Sequence, residues 1–60
     1  MVYVVIETNL WEGQVFEKTR LFSHLEKAEE FYNSLVTYNT SKQLLSFSSD
    51  KYELIHKTEQ

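Results

Sequence analysis

The absence of cysteine from a chain of only 60 residues constrains its fold more than any other feature of the sequence. A domain this short buries only roughly 60% of the surface that its unfolded chain exposes. Because neither a disulfide nor a thiolate metal site can compensate, the core must be dense in large apolar side chains. Four Phe, four Tyr and one Trp supply this material. The sequence therefore predicts one globular domain over residues 1–60.

The first part of the chain predicts two antiparallel strands joined by a hairpin. Residues 2–8 are β-branched or aromatic and are apolar on both faces, which is typical of a central strand. Residues 9–13 include the only glycine, Gly13, and predict a hairpin loop of four or five residues. The returning strand, residues 14–22, has no cleanly apolar side, so we expect it at an edge of the sheet.

A capping box marks the start of the predicted helix. Ser23 and Glu26 have the spacing at which each side chain can satisfy the backbone amide of the other, so the helix is expected to begin at His24. Apolar residues at helical spacing follow, and Asn39 is a suitable left-handed cap, which together predict a helix over residues 24–38. The predicted apolar stripe consists of Leu25, Ala28, Tyr32, Leu35 and Val36, with Phe31 beside it.

The last third of the chain predicts one or two further strands. Residues 43–48 alternate weakly, and Ser49 with Asp50 is typical of a turn. Residues 52–57 are expected to form a strand with Ile55 on one face and, on the other, Tyr52, Leu54 and His56. The predicted fold class is α+β: a three- to four-stranded antiparallel sheet with one helix packed on one face, ββαβ or ββαββ. The residues expected to fill its core are Phe22, Phe31 and Tyr32.

Two stretches of the sequence carry a recurring pattern. Residues 2–7 read VYVVIE, and residues 20–31 read RLFSHLEKAEEF. This resembles small bacteriophage and bacterial proteins of unassigned function, which open with YVV–E and continue through a short hairpin to FS–xx–EKAE. They close with a short strand that begins at a tyrosine, as Tyr52 does here. The resemblance implies a ββαβ fold and a phage or prokaryotic source, and it carries over no catalytic residue.

No residue pattern in the sequence points to catalysis. His24 and His56 are the only histidines and lie far apart in the chain, whereas metal sites commonly use three or four ligands at short spacings. One glycine cannot build a phosphate-binding loop, and no G-x-S-x-G nucleophile elbow is present. We therefore predict a protein that is not an enzyme, with no metal, no cofactor and no small-molecule substrate.

The N-terminal stretch indicates where the protein is located. It has no positively charged segment and no cleavage site of small residues, and its apolar run is too short to span a bilayer. We expect a cytoplasmic protein with no membrane partner.

The surplus of aromatic residues suggests two binding surfaces. Trp11, at the predicted hairpin tip, is either a binding anchor or folds back over the sheet face or the helix end. Because one helix covers one face only, Tyr3 and Val5 are expected on the open face, where apolar surface would serve a dimer or another protein. The candidate binding residues are Trp11, Tyr3, Val5, Phe16 and Arg20.

These features favour a small non-catalytic protein–protein interaction module, a phage-type or prokaryotic regulator or inhibitor that acts as a homodimer. The alternative is single-stranded nucleic-acid binding on the sheet surface, with aromatic rings stacked on bases and Lys18, Arg20 and Lys57 on phosphates. The net charge of −3 counts against this alternative, since nucleic-acid-binding domains usually carry a basic patch.

Overall fold

Four strands and one helix make up the fold in the computed structural model, which describes residues 1–35 and 40–58. The elements are β1 at Val2–Trp11, β2 at Gln14–Phe22, α1 at Leu25–Ser34, β3 at Thr40–Ser48 and β4 at Lys51–Thr58. The strands form one antiparallel sheet in the order β2-β1-β3-β4. The predicted α+β class is confirmed, and the sheet has four strands.

The positions of β1 and β2 in the sheet agree with what their residues predicted. β1, apolar on both faces, lies between β2 and β3. β2 lies at one edge and is exposed over all of its length except its last residue. β3 and β4 are joined by the predicted turn at Ser49 and Asp50, where Ser49 adopts a φ of 42°.

The hairpin between β1 and β2 is tighter than the sequence predicted. Trp11 pairs with Gln14, so only Glu12 and Gly13 lie in the turn, and the expected loop of four or five residues is wrong. The φ angles of these two residues are 49° and 78°, as a two-residue type I′ turn requires. This turn matches the twist of the strands, so pairing continues up to Trp11.

Replacing Gly13 with alanine is expected to lower the free energy of unfolding by about 1 kcal/mol. The cause is the φ of 78°, because a Cβ at this position would meet no other atom within 4 Å. Gly13→Asn is the control, since asparagine tolerates this conformation. Urea unfolding should rank the alanine variant last, and an alanine variant as stable as the wild type would contradict the turn geometry.

The helix starts one residue later than predicted. His24 is extended, with φ −126° and ψ 131°, and is the N-cap residue. Ser23 therefore lies one residue before the N-cap. Glu26 follows the N-cap by two residues, whereas a capping box needs the glutamate three residues after it. The predicted capping box is wrong, because the N-cap makes no side-chain hydrogen bond.

The helix also ends earlier than predicted. Its last residue is Ser34, and Leu35 is extended, with ψ 130°. The rest of the predicted helix and its predicted cap, residues 36–39, lie outside the described residues.

The core lies between α1 and the two central strands. Its fully enclosed centre is formed by Val5, Leu44, Ala28 and Tyr32. Phe22 and Phe31 pack against this centre from the β2 side, with their ring centroids 5.5 Å apart. The three predicted core aromatics therefore all contribute: Tyr32 is buried, and the two phenylalanines are partly buried.

Tyr3 and Val5 lie on the face that α1 covers, which corrects their expected position on the open face. Val5 is opposite Leu44 on β3, and Tyr3 is opposite Phe22 on β2. Because a strand that is apolar on both faces can present either one to a helix, the residues paired with it decide the outcome. The alternating side chains on the open face are Val2, Val4 and Ile6.

A bulge in β4 determines which of its side chains face the helix. Leu54 pairs with Leu45 and His56 pairs with Leu44, so two residues of β4 correspond to one residue of β3. Ile55 is the extra residue of this bulge. His56 therefore reaches the helix side, where its ring stacks on Tyr32 with centroids 5.5 Å apart. The predicted placement of Tyr52, Leu54 and His56 on one face is wrong, because the bulge shifts the alternation by one residue.

Candidate protein interface

The sheet face opposite α1 carries two adjacent rows of apolar side chains. A row here means side chains of residues that pair across neighbouring strands. One row crosses all four strands, and the row next to it crosses three. The first row is Leu21, Val4, Leu45 and Leu54, and the second is Val2, Phe47 and Tyr52. We call these residues the open-face patch.

Most of the open-face patch is exposed. Leu21 and Tyr52, at its two sides, are 65% and 68% exposed, whereas Val4 and Leu45 in its middle are buried by their neighbours. The rings of Phe47 and Tyr52 stack with centroids 5.6 Å apart, which gives the patch an aromatic corner. A contiguous exposed apolar surface of this kind is typical of a protein–protein interaction site.

The patch has a mainly polar border toward the hairpin tip. The next row across the sheet consists of Thr19, Ile6, Gln43 and Lys57. Glu17, Thr8 and Ser41 follow in the row beyond it. An apolar centre with a polar rim is the usual composition of a protein interface.

The structure places the predicted binding residues in separate locations. Val5 and Tyr3 belong to the core, as described above. Trp11 and Phe16 are 63% and 48% exposed in the β1–β2 hairpin, so the alternative in which Trp11 folds back over the sheet is wrong. Arg20 lies on β2, with its guanidinium carbon 5.1 Å from the ring centroid of Phe31.

More than half of the open-face patch comes from β3 and β4, and none of these residues was among the binding residues predicted from the sequence. Leu45, Phe47, Tyr52 and Leu54 alternate on either side of the turn at Ser49 and Asp50. An antiparallel hairpin brings such alternating residues onto one face, so their spacing in the sequence could have identified this part of the patch. In the sequence His56 continues the same alternation, whereas the bulge after Leu54 turns His56 to the other face.

Lys42 is a buried lysine that caps the end of α1. It is 8% exposed, and its Nζ donates hydrogen bonds to the carbonyl oxygens of Tyr32, at 2.6 Å, and Leu35, at 3.2 Å. The same Nζ lies 4.3 Å from the centroid of the Tyr32 ring. Carbonyls at a helix C-terminus have no partner within the helix and carry partial negative charge. Lys42 therefore has a structural role.

The three cations that the predicted nucleic-acid site would use, Lys18, Arg20 and Lys57, do not all lie together. Lys18 and Arg20 lie on β2, at one edge of the sheet and on the helix side. Lys57 lies on β4, at the other edge, in a row of the open face. A single phosphate backbone would have to contact both edges and both faces to reach all three.

The part of the chain that the structure describes contains no group of three or more His, Asp or Glu residues that could hold a metal ion. The contact between His56 Nε2 and Glu29 Oε2, at 3.4 Å, brings two such residues together on the surface. Within the same residues, no helix is long and apolar enough to cross a membrane.

The fold and the open-face patch define a class of protein: a small ββαββ domain with its helix on one side of the sheet and an apolar surface on the other. No family model matches the chain, and no match was found among curated proteins or solved structures. Its function is therefore inferred from its own surfaces.

Proposed function

We propose that this protein is a non-catalytic protein–protein interaction module that acts as a homodimer through the open-face patch. The observation that carries the proposal is the pair of apolar rows on the sheet face that α1 leaves uncovered. Domains are commonly built from two or three packed layers around an apolar core, and a second sheet would complete such a stack here. Dimerisation would also stabilise a chain of only 60 residues by mass action.

The dimensions of the molecule suit a dimer of this kind. Its two longest dimensions are 37 Å and 23 Å, and its shortest is 15 Å. A dimer that covered most of the broad face would therefore bury an area on the order of the ~800 Å² per partner of a standard protein interface. Two such sheets would pack face to face about 10 Å apart.

The charges on the open face favour one dimer symmetry. A two-fold axis parallel to the strands places β2 of one copy over β4 of the other. Glu17 on β2 and Lys57 on β4 then approach each other at both sides of the interface. Their rows lie two residues apart along the strands, about 7 Å, which long side chains can span.

Light scattering during size-exclusion chromatography tests the homodimer. The wild type should have twice the mass of the 7.2 kDa chain, and Leu54→Lys should be monomeric because a charge enters the apolar interface. Phe16→Lys is the control, since Phe16 is similarly exposed but lies on the helix side of the sheet. A monomeric wild type at about 1 mM, well above ordinary dimer dissociation constants, would overturn the proposal, as would a dimeric Leu54→Lys.

The nucleic-acid alternative is disfavoured, because its three predicted cations are divided between the two edges of the sheet. The cytoplasmic location, the phage or prokaryotic source and the regulatory or inhibitory role remain predictions from the sequence.

A further inference from the structure

The edge of β2 presents unpaired backbone groups at regular intervals. In an antiparallel ladder, hydrogen-bonded and non-hydrogen-bonded pairs alternate, and the pair that flanks a two-residue hairpin is hydrogen-bonded. Counting from the Trp11–Gln14 pair, even-numbered residues of β2 bond to β1. The amide and carbonyl groups that point away from the sheet are therefore those of Val15, Glu17, Thr19 and Leu21.

The other edge of the sheet is less suited to pairing. β4 contains the bulge at Ile55 described above. Bulges interrupt the regular spacing of backbone groups and are one of the ways in which proteins protect edge strands. β2 has no register shift in its pairing with β1 and extends over nine residues.

The charges of β2 disfavour pairing with a second copy of itself. Two-fold antiparallel pairing of at least seven residues allows three registers. They place Glu17 opposite Glu17, Lys18 opposite Lys18, or Lys18 opposite Arg20. Like charges directly opposite each other destabilise a strand pair, so the charges of β2 favour a different segment as the partner of this edge.

Two hollows lie beside this edge on the helix side of the sheet, with volumes of about 240 and 270 Å³. Arg20 and Phe31, whose guanidinium carbon and ring centroid are 5.1 Å apart, line both hollows, and we call the two together the groove. The linings of the two hollows contain three cations and two carboxylates, whereas the whole chain has six Lys and Arg against nine Asp and Glu. These groups are Lys18, Arg20, Lys27, Glu7 and Glu30. The groove is therefore locally positive on an acidic protein.

We propose that the β2 edge binds an extended acidic peptide segment of another protein by β-strand addition. The peptide backbone bonds to the outward groups of Glu17, Thr19 and Leu21. Its alternate side chains face the groove, where acidic residues meet Lys18 and Arg20. The intervening side chains lie on the open-face side, beside Leu21, and are aliphatic. Backbone pairing provides affinity in this mode, and the alternate side chains provide specificity.

Fluorescence anisotropy with a labelled heptapeptide that alternates valine with glutamate or aspartate tests the proposal. Two N-methylated forms of the peptide carry the methyl groups on the odd or on the even amides. Because only one set of amides faces β2, one form should bind at least about ten-fold more weakly and the other should bind like the parent. No binding of the parent peptide, or equal effects of the two methylation patterns, would overturn strand addition.

Protein variants test the same contact from the other side. Thr19→Pro removes an outward amide and keeps the ladder to β1, and it should weaken peptide binding by at least about ten-fold. Thr19→Val retains the amide and should bind like the wild type. Circular dichroism checks that both variants are folded. If Thr19→Pro is unfolded, the comparison of the two methylated peptides decides whether the peptide binds by strand addition. A folded Thr19→Pro that binds normally would contradict the proposal.

Exchanging charges tests the acidic character of the ligand. The double variant Lys18→Glu and Arg20→Glu should lose the acidic peptide and gain a peptide with lysine in place of its acidic residues. Unchanged binding of the acidic peptide would overturn the assigned contacts. Labelled oligo-dT is the second probe: salt-sensitive binding that the double variant abolishes would assign these cations to nucleic acid and overturn the peptide proposal.

The peptide site and the homodimer are tested by separate variants. The peptide bonds to the β2 edge of one copy, so the monomeric Leu54→Lys variant should still bind the peptide, although Leu21 borders both surfaces. Loss of peptide binding in that variant would overturn a site formed by one β2 edge alone.

Discussion

Replacing Leu44 with alanine should lower the free energy of unfolding by about 2–5 kcal/mol, the usual cost of removing a buried leucine side chain. Leu44 is 0% exposed and lies at the centre of β3, opposite Val5 and in the same cluster as Tyr32. A domain of this length has a total stability of roughly 3–9 kcal/mol. The substitution should therefore remove a large fraction of the total stability.

Urea titration followed by circular dichroism measures this effect. Leu10→Ala is the matched control, because the same atoms are removed from a leucine that is 57% exposed on β1. Its cost should be below about 1 kcal/mol, as for most surface substitutions. If the two variants were equally stable, Leu44 would not lie in the core that the structure describes.

Replacing Lys42 with methionine should lower the free energy of unfolding by about 2–3 kcal/mol. Methionine retains an unbranched apolar stem but loses the ammonium group, so the carbonyls of Tyr32 and Leu35 both lose the hydrogen bond from Lys42, and the Tyr32 carbonyl keeps the one from the Leu35 amide. A hydrogen bond to a charged group contributes about 1.5–3 kcal/mol, and the favourable interaction of the charge with the helix C-terminus is lost as well.

The control for Lys42 is the same substitution at Lys51, which is exposed on β4. Lys51→Met should change stability by no more than about 0.5 kcal/mol. Equal effects at the two positions would show that the hydrogen bonds of Lys42 to the helix end contribute nothing. Comparing Lys42→Met with Lys42→Ala further separates the loss of the charge from the loss of the packed stem.

The residues of the candidate interfaces could be predicted from the sequence to different extents. Trp11 could be placed at the hairpin because of the turn signal at Gly13, but the sequence left open whether its ring folds back; Phe16 could be placed on β2. The role of Arg20 depends on its position beside Phe31, which comes from a different element. The open-face patch could not be assigned from β1 alone, because the choice between its two apolar faces is made by residues of β2 and β3.

What the sequence by itself determined is the type and order of the elements and the place of two strands in the sheet. A β-branched run, a helical spacing of apolar residues and an edge strand with charges are local properties, each decided by neighbours in the chain. Only the tertiary structure decided which face of β1 is covered, which side chains of β4 face the helix, and that Lys42 caps α1. Each of these depends on pairing between residues far apart in sequence. A shift of one residue in such pairing moves a side chain from one face to the other.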